Sequence, residues 1–565
     1  MTVPSERRQF RILYRDFLFR MVDLELLSSQ GDMQNLLGQF AALLGAFSFV
    51  LTVLIVPRYV GSRLPLPQLA VAAWGDEEFL ISTTMAVVGI FAVIAWNAVL
   101  PDRRDSLVLG PLPVRARTII AAKVAAMLTA LGISVAAVNV FIGTVFPHLV
   151  GGGRTQLAYY ATVACAGLFV FCSLLALQGL AAQVLSYRWG MRASAFLQMA
   201  AFFAILSVYF LTPPLASPRG LAAPENQRQL AWLPSFWFLG LFQELQGGAR
   251  PVFQPLAARA LTGLSGTFAV ACMTYALTYY RHLRRVVEQP DIAPADRSRP
   301  ATRFGSFAAA QLLPRPLDRA LVLFTARTMA RSRQHRLLLA AYGGVGLAIA
   351  LAYAKELIYG SERAHWREVT LDGLIVSLVL LTFAVVGARA VFTLPIALPA
   401  NWIFRITAVH SPEAYFAAVR KSLLALTAVP VCLISALAYL AIWPGRPAVE
   451  HVAVLVLTGI LLVDLALYQF RKIPFACSYL PGGANLKVKL GVYAIAFLTA
   501  ISAGTGIEFV SMRRLAGFAA FLTVLLAVTG WAWRRRMAFA AAPSNGVQFE
   551  DLAPANVTTL DLHGE

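Results

Sequence analysis

The chain has 565 residues, of which 58% are hydrophobic and only 13% are charged, and its mean hydropathy is +0.67. Soluble domains carry about a quarter charged residues, so this composition indicates a polytopic membrane protein. The net charge of +20 does not indicate nucleic-acid binding, because the arginines cluster beside the apolar runs. The five cysteines have no paired spacing and support neither a disulfide framework nor a metal site.

Residues 8–27 are predicted to form an amphipathic helix, with Phe10 and Phe17 on its apolar face and Arg11 and Arg15 on the opposite face. An interfacial helix on the anionic inner leaflet is the expected arrangement. A cytoplasmic helix whose apolar face packs on protein is the alternative.

About twelve apolar runs are long enough to cross roughly 30 Å of hydrocarbon. They lie near 37–56, 79–100, 118–146, 157–185, 194–212, 257–280, 337–358, 371–394, 422–442, 451–470, 489–508 and 515–533. With the N-terminus inside, most Lys and Arg fall in inner loops, so the positive-inside rule predicts that both termini are cytoplasmic. The expected location is a bacterial cytoplasmic (inner) membrane, which the chain crosses many times.

A flexible cytoplasmic linker, 286–314, separates a first half, 1–285, from a second half, 315–540, and a cytoplasmic tail, 541–565, follows. Each half begins with a basic helix, which we name the pre-helix, and places a proline-rich elbow after its second span. Because each half holds six spans, the predicted fold is all-α, with two parallel six-helix repeats related by an axis along the membrane normal.

The first elbow, 101–117, lies between two long apolar runs and must therefore sit at a membrane face. Pro113 suits the first turn of the helix that follows, where its missing N–H costs nothing. Contact with a partner protein is one interpretation of this elbow, and a solvated loop that only satisfies membrane topology is the other. The candidate contact residues are Asp102, Arg103, Arg104, Asp105, Pro113 and Arg115.

The second elbow, 395–420, has the same two interpretations. Pro412 is predicted at the first position of a new helix, with Glu413 placed favourably against the helix dipole. Lys421 follows Pro412 at nearly the distance at which Lys123 follows the proline of the first elbow, and both lysines should lie where a span leaves the cytoplasm. The candidate contact residues here are Asn401, Arg405, His410 and Glu413.

Asp464 is expected to be the one acidic residue deep in a span. A carboxylate at that depth costs several kcal/mol, so it must be paired, protonated or facing a cavity. Arg389 is the candidate partner for an intramembrane ion pair, and a proton relay is the alternative role. The run Asp76-Glu77-Glu78 is expected to be a solvated cap outside the membrane.

The outer segment 230–245 is strongly aromatic but too short to span. It is predicted to be a re-entrant or interfacial helix, with Trp232 and Trp237 as anchors at the outer interface.

Two stretches carry a resemblance to a known family: Leu109-Gly110-Pro111-Leu112-Pro113-Val114-Arg115-Ala116-Arg117 to Lys123, and Trp232-Leu233-Pro234-Ser235-Phe236-Trp237. With the overall layout, they resemble permease subunits of ABC exporters of the type-2 class. In that family each six-span half has an amphipathic helix before its first span, a coupling helix between spans two and three, and outer re-entrant helices before span six. This chain departs from the pattern by fusing two halves and by lacking a long outer segment between spans eleven and twelve.

The resemblance implies an ATP-driven export permease that works by alternating access on a hydrophobic or lipid-like substrate. It also implies an ABC-type ATPase subunit, in two copies, and contact with membrane lipids. The chain itself is expected to be no enzyme and to hold no cofactor, because it lacks a G-x-x-x-x-G-K-[ST] loop, so ATP is bound by the partner. The alternatives are a secondary transporter driven by an ion gradient and a membrane-embedded enzyme, although the sequence has no H-E-x-x-H motif.

Overall fold

The computed structural model describes most of the chain as helix. The described residues are 5–22, 33–63, 65–99, 109, 112–184, 187–248, 250–288, 313–359, 368–394, 412–443, 445–468, 470–472, 474–475, 486–542 and 547. Their secondary structure is helical throughout, without strands, which confirms the predicted all-α class. The chain divides into two compact units, Met1–Ala293 and Pro294–Glu565, and the division falls in the predicted linker.

Unit 1 contains long helices and several short ones that connect them. In chain order the α-helices are α1 (Glu6–Val22), α2 (Met33–Ile55), α3 (Leu66–Ala72), α4 (Trp74–Ile94), α5 (Trp96–Val99), α6 (Ala116–Asn139), α7 (Ile142–Val184), α8 (Tyr187–Phe210), α9 (Pro218–Ala222), α10 (Gln227–Trp232), α11 (Pro234–Gln246) and α12 (Gln254–Glu288). Helix α7 is interrupted at Gly152, whose φ of 78° lies in the left-handed region that glycine tolerates.

Unit 2 has fewer short connecting helices among its described residues. Its α-helices are α13 (Pro316–Arg331), α14 (Arg333–Tyr359), α15 (Leu371–Val391), α16 (Pro412–Leu423), α17 (Val429–Ile442), α18 (Gly445–Ala466), α19 (Leu486–Ser511) and α20 (Leu515–Ala541). A π-helical turn, Leu424–Ala428, joins α16 to α17 just before Pro430, whose missing N–H cannot continue an α-helical ladder.

Ten described helices are long and apolar enough to cross a membrane, which confirms a multi-pass membrane protein. They are Ala41–Arg58, Trp74–Ile94, Ala116–Asn139, Ile142–Val184, Gln254–Thr278, Gln334–Tyr359, Leu371–Val391, Pro412–Ile442, Gly445–Ala466 and Leu515–Ala541. The other two predicted spans, 194–212 and 489–508, coincide with α8 and α19, which are outside these ten. The count of twelve and the repeat relation therefore stay predictions.

The aromatic segment 230–245 is largely buried in unit 1, where most of it forms the short helix α11. Phe236, Phe238 and Phe242 have at most 1% of their surface exposed, because α11 packs against α4, α7 and α12. Trp232, in α10, is 80% exposed, which suits an interfacial anchor. Trp237 instead packs inside the unit, where its indole Nε1 donates to the Leu230 carbonyl at 2.9 Å.

Helices α14 and α15 approach each other closely in unit 2, because glycine faces an aromatic side chain at two points. A Cβ on Gly346 would lie 2.5 Å from Cβ of Phe383, and a Cβ on Gly387 would lie 2.7 Å from Cβ of Tyr342. Small residues permit this kind of backbone approach between helices in membranes.

We expect Gly346→Ala to lower the melting temperature of the detergent-solubilised protein, since the added methyl group overpacks the interface at a cost of about 1–3 kcal/mol. The matched control is Gly530→Ala in α20, where a Cβ would meet nothing within 4 Å. That control should keep or slightly raise the melting temperature, because alanine is the better helix former. Equal melting temperatures for the two variants would contradict the close packing.

Candidate functional site

The pre-helix of unit 1, α1, packs along α6, the helix that follows the first elbow. Leu13, Phe17 and Met21 on its apolar face are buried, and the Tyr14 hydroxyl donates to Oγ1 of Thr129 in α6 at 3.1 Å. The apolar face of this amphipathic helix is thus covered by protein. This favours the alternative of a helix packed on protein, and the position of α1 relative to the membrane stays a prediction.

Polar contacts at the end of the first elbow also reach the pre-helix. The Arg115 guanidinium lies 2.5 Å from Oε1 of Glu6, and Nε2 of Gln9 donates to the Pro113 carbonyl at 3.4 Å. Both contacts are exposed, so they contribute little stability; they join the first turns of α1 to the residues just before α6.

Helix α6 begins at Ala116, so the prediction that Pro113 occupies its first turn is wrong. The backbone N–H of Val114 donates to the Leu112 carbonyl at 2.7 Å, which makes Pro113 the centre of a tight three-residue turn. The fixed φ of proline suits that turn as well as it suits a helix.

Lys123 in α6 is buried rather than placed in a solvated loop, with 2% of its surface exposed. Its ammonium group lies 5.3 Å from the centroid of the Phe17 ring in the pre-helix. A cation over an aromatic face is attracted to it, so this contact adds to the attachment of α1 to α6.

Unit 2 attaches its pre-helix to its elbow helix by a charge pair. Asp318 in α13 is buried, and its carboxylate makes a short contact with the Lys421 ammonium in α16. Helix α16 begins at Pro412, as predicted, and Glu413 is exposed in its first turn. In both units, therefore, the pre-helix contacts the helix that follows an elbow.

The other predicted elbow contacts lie outside the described residues. They are Asp102, Arg103, Arg104, Asp105, Asn401, Arg405 and His410.

Asp464 in α18 is fully buried and lies between two arginines. Arg420 in α16 binds it in bidentate geometry, with Nε to Oδ1 at 2.6 Å and Nη2 to Oδ2 at 2.9 Å. Arg536 in α20 adds Nη1 to Oδ1 at 3.0 Å and donates its Nη2 to the Phe416 carbonyl at 2.8 Å. Bidentate guanidinium–carboxylate pairs are the strongest of the ordinary charge-assisted hydrogen bonds.

The predicted partner of Asp464 was wrong, although an ion pair is present. Arg389 donates its Nε to the carbonyl of Ala466 at 2.8 Å and lies 4.1 Å from the centroid of the Phe470 ring. Ala466 is the last residue of α18, so its carbonyl has no partner within the helix and accepts a side-chain donor. Arg420 and Arg536 were missed because each sits in a basic run that the positive-inside rule already explained.

The two neighbouring charges on α16 connect it to different helices. Arg420 reaches α18 and α20 through Asp464, and Lys421 reaches the pre-helix α13 through Asp318. A displacement of α16 must therefore either carry these helices along or break a buried ion pair, which is costly in a low-dielectric interior.

Unit 1 also contains buried acidic residues. The run Asp76-Glu77-Glu78 was expected to be a solvated cap, and the structure corrects that expectation. Helix α4 begins at Trp74, and Glu77 has 1% of its surface exposed because α11 packs over it. Nε2 of Gln243 in α11 donates to Glu77 Oε2 at 2.6 Å. Asp76 accepts from the Tyr59 hydroxyl at 2.6 Å; burial and this contact raise the pKa of Tyr59.

Among the described residues, no group of three or more His, Cys, Asp or Glu side chains is placed to hold a metal ion. The chain matches no known protein-family model, no curated protein sequence and no solved structure. The contacts at the elbows and the buried charges are the features that bear on its function.

We expect Asp464→Asn to destabilise unit 2 strongly, because it leaves the guanidinium groups of the buried Arg536 and the half-buried Arg420 without their carboxylate. Removing one partner of a buried ion pair costs on the order of 3–5 kcal/mol. The control is Asp372→Asn in the first turn of α15, where the carboxylate is only partly buried. Thermal melting in detergent should show a large loss for the first variant and a small one for the second; equal losses would contradict a structural ion pair at Asp464.

Proposed function

We propose that this chain is the permease subunit of an ATP-driven ABC-type exporter. The observation that supports it most is the contact between pre-helix and elbow helix in both units. It is made by Glu6 with Arg115 in unit 1 and by Asp318 with Lys421 in unit 2.

The physical argument is that an external ATPase can only move a membrane helix through a stiff connection. Helix α6 starts at the end of the first elbow, and the helix Pro412–Ile442 starts within the second. Both continue as long apolar helices, so a push at either elbow travels along a helix axis. Two-state coupling between distant sites requires such an element.

Exposed groups at the two elbow ends supply a surface for the partner. Leu112 is 49% exposed, and Arg115 and Glu413 also face solvent. The sequence has no nucleotide-binding loop, so the proposal requires a separate ABC-type ATPase, with one copy for each elbow. The same proposal places both termini in the cytoplasm of a bacterium and makes α8 and α19 the fifth and eleventh spans of two parallel repeats.

An ion-gradient-driven transporter is the second candidate. The proton-relay role that Asp464 would play in such a protein loses support, because two guanidinium groups already compensate its charge. In the ATP-driven exporter that we propose, the cargo is hydrophobic or lipid-like and leaves the cytoplasm by alternating access.

The test is recovery of the ATPase with the tagged permease. We expect the chain to co-purify with an ABC ATPase encoded beside its gene, and Arg103→Glu with Arg104→Glu to reduce that recovery about tenfold, as a loss of about 1.4 kcal/mol would. The matched control is Arg219→Glu with Arg228→Glu, two exposed arginines between the predicted fifth span and the predicted outer segment 230–245.

The control double variant should recover the ATPase as the wild type does. Unchanged recovery with the elbow variant, or cargo movement by the purified chain alone under a proton gradient, would overturn the proposal.

A further inference from the structure

Unit 2 contains a second buried polar array, formed by one residue from each of three helices. Nε2 of His451 in α18 lies 2.7 Å from Oγ of Ser377 in α15, and its Nδ1 lies 2.7 Å from Oε1 of Glu508 in α19. Each of the three residues has at most 1% of its surface exposed. The imidazole thus bridges a hydroxyl and a carboxyl group inside the protein.

The surroundings of this array are aromatic rather than polar. The rings of Tyr439 and Trp443 lie 4.9 and 5.8 Å from the His451 ring, centroid to centroid. The Tyr439 hydroxyl donates to the Gly373 carbonyl at 2.6 Å. Oε2 of Glu508 is buried and makes no hydrogen bond in the described part of the chain.

Two described arginines at this end of the helices have partners of their own. Arg446 pairs with Glu450 in α18 at 2.8 Å, and Arg513 lies over the Phe509 ring. Asp372, in the first turn of α15, is partly buried and lies near Glu356 of α14. Among the described ion pairs, His451 is therefore the group that faces Glu508.

The charge of the array determines how many protons it should hold. With Glu508 ionised and His451 neutral, the array carries one uncompensated negative charge in an apolar interior, which is very costly. One added proton removes that charge. A neutral carboxyl can donate to Nδ1, Nε2–H can donate to Ser377, and the Ser377 hydroxyl can donate to the Leu374 carbonyl, 3.2 Å away.

We propose that Ser377, His451 and Glu508 form a proton-binding site that holds one proton in the folded protein at neutral pH. The proton comes from solvent and lies on the carboxyl group or on the imidazole, and in either form Nε2 of His451 carries a hydrogen. The inference concerns the folded protein and does not depend on the proposed transport function.

The same order of groups occurs in the catalytic triads of serine hydrolases, but there the resting imidazole carries its hydrogen on the nitrogen that faces the acid. A nucleophile must also reach its substrate, whereas Ser377 is 1% exposed and lies two turns inside α15. The protonation state of Nε2 therefore distinguishes a proton-binding site from a catalytic triad.

Nitrogen-15 NMR of histidine-labelled wild-type protein in detergent tests the proposal directly. We expect Nε2 of His451, assigned by the loss of its signal in His451→Asn, to be protonated at about pH 7 and to lose its hydrogen in alkaline solution. A bare Nε2 with a protonated Nδ1 at neutral pH would overturn the proposal and would favour a triad.

Glu508→Gln gives an independent measurement, because its amide can donate to Nδ1 as a protonated carboxyl does. At a pH well above about 6.5, an unfolded chain binds no proton on a neutral histidine or an ionised glutamate. The folded wild type then binds one proton more than the unfolded chain, so its stability falls as pH rises. Its unfolding constant should rise tenfold per pH unit relative to Glu508→Gln.

The matched control is Glu450→Gln, at a buried carboxyl group on the residue directly before His451, whose partner is Arg446. It should keep the pH dependence of the wild type. Parallel curves for the wild type and Glu508→Gln would overturn the site. If Glu508→Gln does not fold, the NMR measurement on the wild type decides alone.

Discussion

The structure depends on one constraint: a charge can remain inside an apolar helix bundle only if another group compensates it. Unit 2 meets this constraint with the carboxylate of Asp464 held by Arg420 and Arg536, and with Asp318 held by Lys421. These pairs join four helices. Because Arg420 and Lys421 are neighbours at the start of one long helix, the constraint also determines how movement at the second elbow reaches the rest of the unit.

Unit 1 achieves the same attachment with weaker individual contacts. The pre-helix holds the elbow helix through a buried apolar face, a lysine over the Phe17 ring and an exposed pair between Glu6 and Arg115. Hydrophobic burial scales with area and needs no precise geometry, whereas ion pairs do. We therefore expect the two units to respond differently to salt, which screens exposed charges and leaves buried ones largely unaffected.

The sequence predicted what periodicity and composition determine, namely the helical class, most of the long apolar helices and the helix start at Pro412. It failed where a distant segment decides the environment of a residue. Glu77 seemed solvated because nothing in its own neighbourhood shows that α11 packs over it. Arg389 was the predicted partner of Asp464 because it lies near the inner end of its own predicted span, but only the packing of α16 and α20 brings Arg420 and Arg536 to that carboxylate.

The most direct test of the account is to find on which side of the membrane the two elbows lie. Single cysteines at Leu112 and Glu413, both exposed, would be placed in a chain without its five native cysteines and labelled in intact cells with a membrane-impermeant maleimide. The account predicts that both positions react only after the membrane is permeabilised, since one cytoplasmic ATPase dimer must reach both. Labelling of the two positions from opposite sides would contradict it.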